Sequence, residues 1–440
     1  MTDEQHTVAT IRDNLYDQIP LSAAAVALIE TPAFLRLDRI QQLGFVSKVW
    51  PGAKHTRFEH ALGVYHLMRL GVAALRRAPG GARIDDEQAR VAVAAALLHD
   101  IGHYPFSHAI EELGPPVLSH ENVGRNVVRR GDVADVLKRV WRLDPARVAA
   151  FIRPEDDLDP RDRLLRRLLS GTLDVDKLDY LPRDARNCNV PYGGVDTTRL
   201  LAALRVADVD GELRIVIGEK GVSPLHSLIN ARQEMFDNVY WHHTNRACMA
   251  MLLRAVQDAL LAGAITPAGL TMHDDASLLA ALSTPEMPVT TRALVDGLRN
   301  RRLHKRAIEI SARAGSLYDA LNRLYADPTE RRRVEVALGE RLAADLGSDV
   351  ASHEVLIDIP KPERWRTDVW VWFDRPPIGF DRLMPWSDVV GMGDDDFKRY
   401  EEHRRLIRVV TTERLRDVAR QRVGALLPAL LGLPETDSSV

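Results

Sequence analysis

The sequence predicts a mainly α-helical protein with one small β-hairpin and a C-terminal α+β lobe, and three observations predict it. Apolar residues recur at helical spacing through most of the first 345 positions. An Asp-Gly pair, Asp210-Gly211, separates two strand-like runs in LRVADVDGELRIVIG, the pattern of a tight hairpin. After about residue 350 the runs EVLIDIP, DVWVWFD and RRLIRVVT turn short and β-branched, and four of the seven tryptophans fall between Trp365 and Trp386.

In chain order, helices are expected over 21–30, 32–42, 59–77, 86–99, 162–171, 197–205 and the long stretch 223–262. Residues 316–345 add a helical stretch that is basic on one side. Pro79-Gly80-Gly81 ends one helix, and the acidic, proline-flanked RPEDDLDP separates two others. A last helix, roughly 411–431, precedes a polar tail, PETDSSV, expected to be disordered. The division expected is residues 1–345 and 346–440, with the tryptophans of the second part serving as core or interface anchors.

Composition narrows the function. With 440 residues, 45% hydrophobic and 28% charged, the chain has the profile of a soluble globular protein of two or three domains. A net charge of −3 gives no global attraction to nucleic acid, so only a local run such as RNRRLHKR could contact it. Two cysteines, Cys188 and Cys248, supply neither a disulfide framework nor a cysteine zinc site, and point to a reducing compartment. The start MTDEQHTVATIRDN lacks a signal-peptide apolar region, and no run of about 18 apolar residues occurs. A cytoplasmic protein with no membrane partner is expected.

The chemistry centres on His99-Asp100, which closes the apolar run VAVAAALLHD. Two segments offer partners: TRFEH, ending at His60, and DVDKLDY, centred on Asp176. Two imidazoles and two carboxylates make a mixed nitrogen and oxygen set suited to Mn, Fe, Zn or Mg. Adjacent helical residues stand about 100° apart, so His99 and Asp100 can share an ion only where the helix end faces a common cavity. The other ligands must come from other helices.

A His-Asp pair at a helix end is by itself more often a dipole partner than a metal site. Here the run continues as HDIGHYPFSH, with His103 one turn beyond His99 and Pro105 permitting a break that turns His108 back toward the same cavity. His120 follows in SHEN. Four histidines within 22 residues, in a chain with 15, favour a functional cluster over an inert core. Asp176, Tyr180 and Asp184 share one helical face if Pro182 only kinks the helix, and Lys177 lies one position round, placed to reach phosphate.

The strings FLRLDRIQQLG, PGAKHTRFEHALGVYHL, LLHDIGHYPFSHAIE, SHEN and DVDKLDYLPRDA, in this order, resemble the HD-domain dNTP triphosphohydrolases, over residues 13 to about 310. The resemblance implies an HD-domain helical bundle that holds a divalent metal and cleaves a dNTP to deoxynucleoside and triphosphate. It assigns His60, His99, Asp100 and Asp176 to the metal. His103, His108 and His120 line the cleavage site, with Glu111 where the vertebrate enzyme has an Asp. His108 is the expected proton donor to the leaving 5′-oxygen, and His103, paired with Glu111 or His120, the expected relay. Arg57, Lys177 and Tyr180 match triphosphate contacts; Gln42, Leu43 and Asp184 match positions near the sugar; His243 matches a further substrate position.

Two departures stand out. Where the vertebrate enzyme has an Arg and a Tyr on the following long helix, this chain has Val239 and Ala247, leaving Arg232, Tyr240 or Arg246 to replace them. Arg199, Arg301 and Lys305 match phosphate-binding positions of an activator site in a dimer or tetramer. Glu30, Leu35 and Asp38 replace residues that read guanine and phosphate there, so nucleotide regulation other than a simple GTP switch is expected. The alternatives are another HD-type phosphoester hydrolase, acting on nucleoside monophosphates or cyclic nucleotides, and a nucleic-acid-binding scaffold with a vestigial site.

Overall fold

The computed structural model describes residues 6–78, 84–154, 158–362 and 368–434. The fold is mainly α with small β elements. Its centre is a bundle in which helix Arg57–Arg77 packs on Asp86–Leu98 and on Val175–Cys188. Each of these three has a chemical start. Thr56 N donates to Glu59 Oε2 at 2.7 Å, Asp85 Oδ1 accepts from Gln88 N at 2.7 Å, and Asp174 Oδ1 accepts from Lys177 N at 2.8 Å.

The Asp86–Leu98 helix is alanine-rich, and eight of its residues, from Gln88 to Leu98, are buried, so it forms the middle of the core. Close crossings rest on glycines. A Cβ on Gly71 would lie 2.9 Å from the Leu168 side chain, and one on Gly63 would lie 1.8 Å from Asp179 Oδ1. Pro182 sits inside Val175–Cys188 without ending it, and Asn189, at φ 55°, closes that helix. Among the described residues, no helix is long and apolar enough to cross a membrane.

Several boundaries differ from expectation, each for a local reason. The stretch 223–262 is two helices, Val222–Met235 and His243–Leu261, because a wide π turn at Phe236–Tyr240 leads into His242, whose side chain caps the second helix. Periodicity alone bridges such a break, since no Gly or Pro marks it. The stretch 316–345 divides at Asp327, which caps a new helix with Pro328 in its first turn. The expected 32–42 helix stops at Leu35 and continues as a 3-10 turn, Arg36–Arg39, before Ile40 becomes extended.

The predicted hairpin is present: Leu204–Val209 pairs with Glu212–Gly218, with Asp210 at φ 54° and Gly211 at φ 80° in the turn. Trp370–Trp372 adds in parallel to Glu212–Gly218, and Leu383–Pro385 completes a four-stranded sheet. A second hairpin, Thr7–Asp13 with Asp17–Ser22, was not expected. The basic run RNRRLHKR is a helix end and loop up to His304, and its last two residues open the strand Lys305–Ile310, which pairs with Ile407–Thr411; that strand also pairs with Val355–Asp358.

Packing crosses the expected 345/346 division. Leu321, Leu338 and Leu342 share one core with Ile357, Val409 and Val423, whereas Val371, Trp386 and Phe397 belong to the central core. Trp386 is fully buried, and Trp370 and Trp372 are half-buried. Pro79-Gly80-Gly81, part of RPEDDLDP, Trp365 and most of the tail lie outside the described residues.

Candidate metal centre and cleavage site

Three helices bring the predicted metal ligands together. His99 and Asp100 stand at the C-terminal end of Asp86–Leu98, His60 lies in the first turn of Arg57–Arg77, and Asp176 in the first turn of Val175–Cys188. His60 Nε2 is 3.0 Å from Asp176 Oδ1 and 3.7 Å from Asp100 Oδ2. His99 Nε2 is 3.4 Å from Asp100 Oδ1 and 3.7 Å from Asp176 Oδ1. Donor atoms of His60, His99 and Asp176 all lie within 4.8 Å of one another.

Both imidazoles are oriented from behind. His99 Nδ1 lies 2.9 Å from Ala96 O, which turns Nε2 inward, where it is buried without a hydrogen-bond partner among the described residues. His60 Nδ1 lies 2.7 Å from Asp179 Oδ2, and Arg183 grips Asp179 with Nε and Nη2 at 2.8 and 2.9 Å while reaching Asp13 at 2.8 Å. Histidines backed at Nδ1 by a carboxylate, as His60 is, or by a backbone carbonyl, as His99 is, with Nε2 turned inward, have the arrangement of metal ligands. Burial alone would lower the His60 pKa, yet Asp176, Asp179 and Asp100 push it up to about 10. The field that would hold a proton there is equally a field for a cation, so the donor set fits a divalent metal.

Arg57 is buried beside this set, hydrogen-bonded to Asp100 and, through Nε at 3.0 Å, to the Ser107 hydroxyl. Against the cost of burial, Arg57 and then His99 hold the Asp100 carboxyl well below its usual range. Asp100 Oδ1 is also 3.2 Å from His103 Nε2, which links the metal set to a second cluster.

That second cluster joins His103, His108, Glu111 and His120, whose donor atoms lie within 4.8 Å of one another. The rings of His103 and His120 stack at 3.9 Å, and His108 meets His103 edge-on at 4.7 Å. Glu111 Oε1 is 2.7 Å from His120 Nδ1 and also accepts from the His120 backbone amide; Oε2 is 3.4 Å from His108 Nδ1. Glu111 therefore pairs with His120 and His108, and His103 is joined to them by ring contact. Burial, with Arg57 and His120, drives the His103 pKa well down, whereas Glu111 outweighs burial to raise that of His120. Two imidazoles of unequal basicity thus lie face to face, with His108 beside them, its side chain 56% exposed.

The sugar-side candidates form a separate wall. Asp184 is buried, 2.8 Å from His55 Nε2, and accepts from the Tyr240 hydroxyl at 2.6 Å. Gln42 is buried with its Oε1 unpaired among the described residues, and Leu43 is half-buried beside it. Tyr180 stands edge-on to His60 at 6.4 Å. Lys177 Nζ donates to Asp174 Oδ2 at 2.6 Å and to Gly171 O at 2.9 Å, and lines a cavity of about 390 Å³ with Arg166, Arg167, Arg214 and Arg232.

Other candidates lie elsewhere. Val239 and Ala247 are buried in the core. Arg246 is locked between Glu112 at 2.9 Å and Asp358 at 2.6 Å, so of the three replacements Tyr240 reaches the sugar wall and Arg232 the cationic cavity. His243 packs on His242 at 4.3 Å, where burial and then Arg306 lower its pKa, and it joins neither histidine cluster among the described residues. Arg199, Arg301 and Lys305 are exposed; Arg199 Nε donates to Lys220 O and Arg301 Nη2 to Lys48 O, and no hydrogen bond joins them to each other. Residues that sequence reasoning did not single out are His55, Asp179, Arg183 and Ser107. Asp179 carried a signal, since it lies three positions after Asp176 and four before Arg183 on one helix.

Comparison with known proteins agrees with this geometry. Residues 57–181 match the HD domain family, and residues 195–371 the HD associated region. An uncharacterized protein of Methanocaldococcus jannaschii, MJ1154, is 30% identical over 379 residues, 85% of this chain and 74% of that one. The human deoxynucleoside triphosphate triphosphohydrolase SAMHD1 is 30% identical over 278 residues, 57% of this chain and 44% of that protein. Its bovine counterpart is 26% identical over 404 residues, 81% of this chain and 67% of that one. Two solved structures share the fold: a hypothetical protein from Aquifex aeolicus, with TM-score 0.72 at 24% identity over 94% of this chain and 99% of that one, and a phosphohydrolase from Bacteroides thetaiotaomicron, with TM-score 0.69 at 23% identity over 92% and 99%. The His and Asp donors that converge here fall within the matched HD segment, and the chain belongs to the HD-domain phosphohydrolase family.

Proposed function

We propose that the protein is a metal-dependent deoxynucleoside triphosphate triphosphohydrolase, converting a dNTP and water to deoxynucleoside and inorganic triphosphate. One observation carries this reading: Asp176 belongs to the metal set, and Lys177, the next residue on the same helix, lines a cavity with Arg166, Arg167, Arg214 and Arg232, so cationic side chains for a phosphate chain stand beside the set that would hold the ion. Bound by His60, His99, Asp100 and Asp176, a divalent ion of the Mn, Fe, Mg or Zn class would polarise the α-phosphate and acidify water.

The chain's own residues do the rest. Lys177, Tyr180 and Arg57 offset phosphate charge, with Arg232 in the same cavity as Lys177. Water attacks the α-phosphorus, the bond to the 5′-oxygen breaks, and His108 gives that oxygen its proton. Glu111 holds His108 and His120 in place, and the proton lost by the attacking water restores the one His108 gave up, passing through stacked His103 and His120. Asp184, fixed by His55 and Tyr240, keeps acceptor capacity for a sugar hydroxyl, and Gln42 and Leu43 crowd the sugar.

Regulation belongs to the same reading. Exposed Arg199, Arg301 and Lys305 serve as phosphate contacts of a nucleotide activator site completed between subunits of a dimer or tetramer. A cytoplasmic setting suits the two buried, unpaired cysteines. The test is product analysis of the purified protein with Mn²⁺, given each dNTP singly and then all four together, with His99→Ala as the blank. Triphosphate and deoxynucleoside are expected. Release of pyrophosphate or orthophosphate instead, or turnover of monophosphates or cyclic nucleotides alone, would overturn the assignment.

A further inference from the structure

Two loops flank the metal centre and must keep a fixed spacing. The first, residues 40–44, carries Gln42 and Leu43. The second, residues 103–108, carries His103 and His108 and passes through two consecutive left-handed residues, Phe106 at φ 58° and Ser107 at φ 59°. Neither is glycine, so surrounding contacts must hold that backbone in place. The loops touch each other. Ser107 Oγ lies 2.8 Å from Gln41 O and 3.0 Å from Gln42 O, sharing its proton between them, and Phe45 stacks on Phe106 at 4.4 Å. Gly44, at φ 52°, runs so close that a Cβ there would lie 3.3 Å from Phe106 O.

A third segment, remote in sequence, holds both. Asp275 begins helix Asp275–Ala281; its Oδ1 accepts from Phe106 N at 2.7 Å and its Oδ2 from Gln41 N at 3.0 Å. The same segment is braced from outside. Arg36 donates to His273 O and to His103 O, both at 2.9 Å, and Asp274 caps the helix while taking Arg39 Nε at 2.8 Å. A carboxylate offers two acceptor oxygens with no competing donor, which an amide cannot match.

We propose that Asp275 is a positioning residue that accepts one amide from each loop and thereby sets the distance between the sugar-side pair Gln42-Leu43 and the cleavage pair His103-His108. What the loops act on rests on the dNTP reading above; the clamp itself does not. Asp275→Asn keeps one acceptor and turns an N–H toward the other amide, and Asp275→Ala removes both.

The experiment compares wild type, Asp275→Asn and Asp275→Ala in the full chain, by amide hydrogen exchange, metal content and steady-state kinetics. Exchange should quicken in peptides spanning 39–46 and 103–110 but not in 175–188, with metal content unchanged. A displacement of about 1 Å at a reacting group costs on the order of 100-fold, so kcat should fall by roughly 10- to 100-fold, with KM moving less. The preference for deoxyribose over ribose substrates should narrow. Asp275→Asn should lie between wild type and Asp275→Ala, and it answers the question alone if the Ala variant does not fold. Unchanged protection of both loops, or protection lost evenly through the chain, would overturn the proposal. If the wild type turns over no dNTP, the functional reading fails, while the exchange pattern still decides the clamp.

Discussion

The two histidine clusters share Asp100 as a neighbour yet are supported and exposed differently. Behind the metal set, the chain His60–Asp179–Arg183–Asp13 runs through fully buried groups, and every ring is fixed from its far side. The cleavage cluster is graded, from buried His103 through half-buried His120 to exposed His108, and rests on one carboxylate, Glu111. Holding an ion rewards rigidity, whereas moving a proton needs a path to solvent and imidazoles of unequal basicity. The difference teaches that support, more than residue type, sets the two clusters apart: His60 and His99 are each backed by a separate acceptor, Asp179 and the Ala96 carbonyl, whereas His103 and His120 stack on one another and His120 shares Glu111 with His108.

The comparison can be broken at either cluster. Asp176→Ala should have the largest effect, losing bound metal and turnover together, as read by elemental analysis and product release. Retention of both would show that the ligand assignment is wrong. Glu111→Gln should keep the metal but lower kcat by roughly 10²- to 10⁴-fold, the span of general acid–base catalysis. Glu111 is what raises the His120 pKa against burial, so this variant should also lose protonated His120 at lower pH, moving the alkaline limb of the pH–rate profile downward. A profile that keeps its position would remove Glu111 from the relay.

Asp179→Asn should be milder, weakening metal affinity roughly 10- to 100-fold, as outer partners of ligands do, with activity restored by excess Mn²⁺. Failure of added metal to restore turnover would mean that Asp179 acts on the fold and not on His60. The smallest effect on chemistry is expected for Arg301→Ala, which should leave metal bound while reducing assembly or nucleotide activation, as followed by light scattering and by rates in mixed dNTPs.

The clusters were also unequally legible. His99-Asp100, TRFEH and DVDKLDY are short strings whose donor types point to metal chemistry, and helical spacing was enough to place Tyr180 and Asp184 one and two turns along the helix from Asp176. Pairings within the cleavage cluster were not legible, because a sequence cannot show that Glu111 faces His120 instead of His103. The sugar wall was partly hidden for the same reason: His55 and Asp184 are 129 positions apart. Among elements, Lys305–Ile310 escaped because a strand flanked by basic residues is recognised only through its partner, Ile407–Thr411. The break before His243 escaped because apolar spacing continues across it.

Gly63 bears no side chain, yet it shapes the support behind His60, standing one turn further along the same face of the same helix. Its missing side chain is the space into which the Asp179 carboxylate and the Arg183 guanidinium fit, 1.8 and 2.6 Å from where a Cβ would stand. Even alanine there must push the carboxylate off His60. On the metal reading proposed above, a methyl group at this one helix position would change ion affinity while leaving every ligand in the sequence untouched.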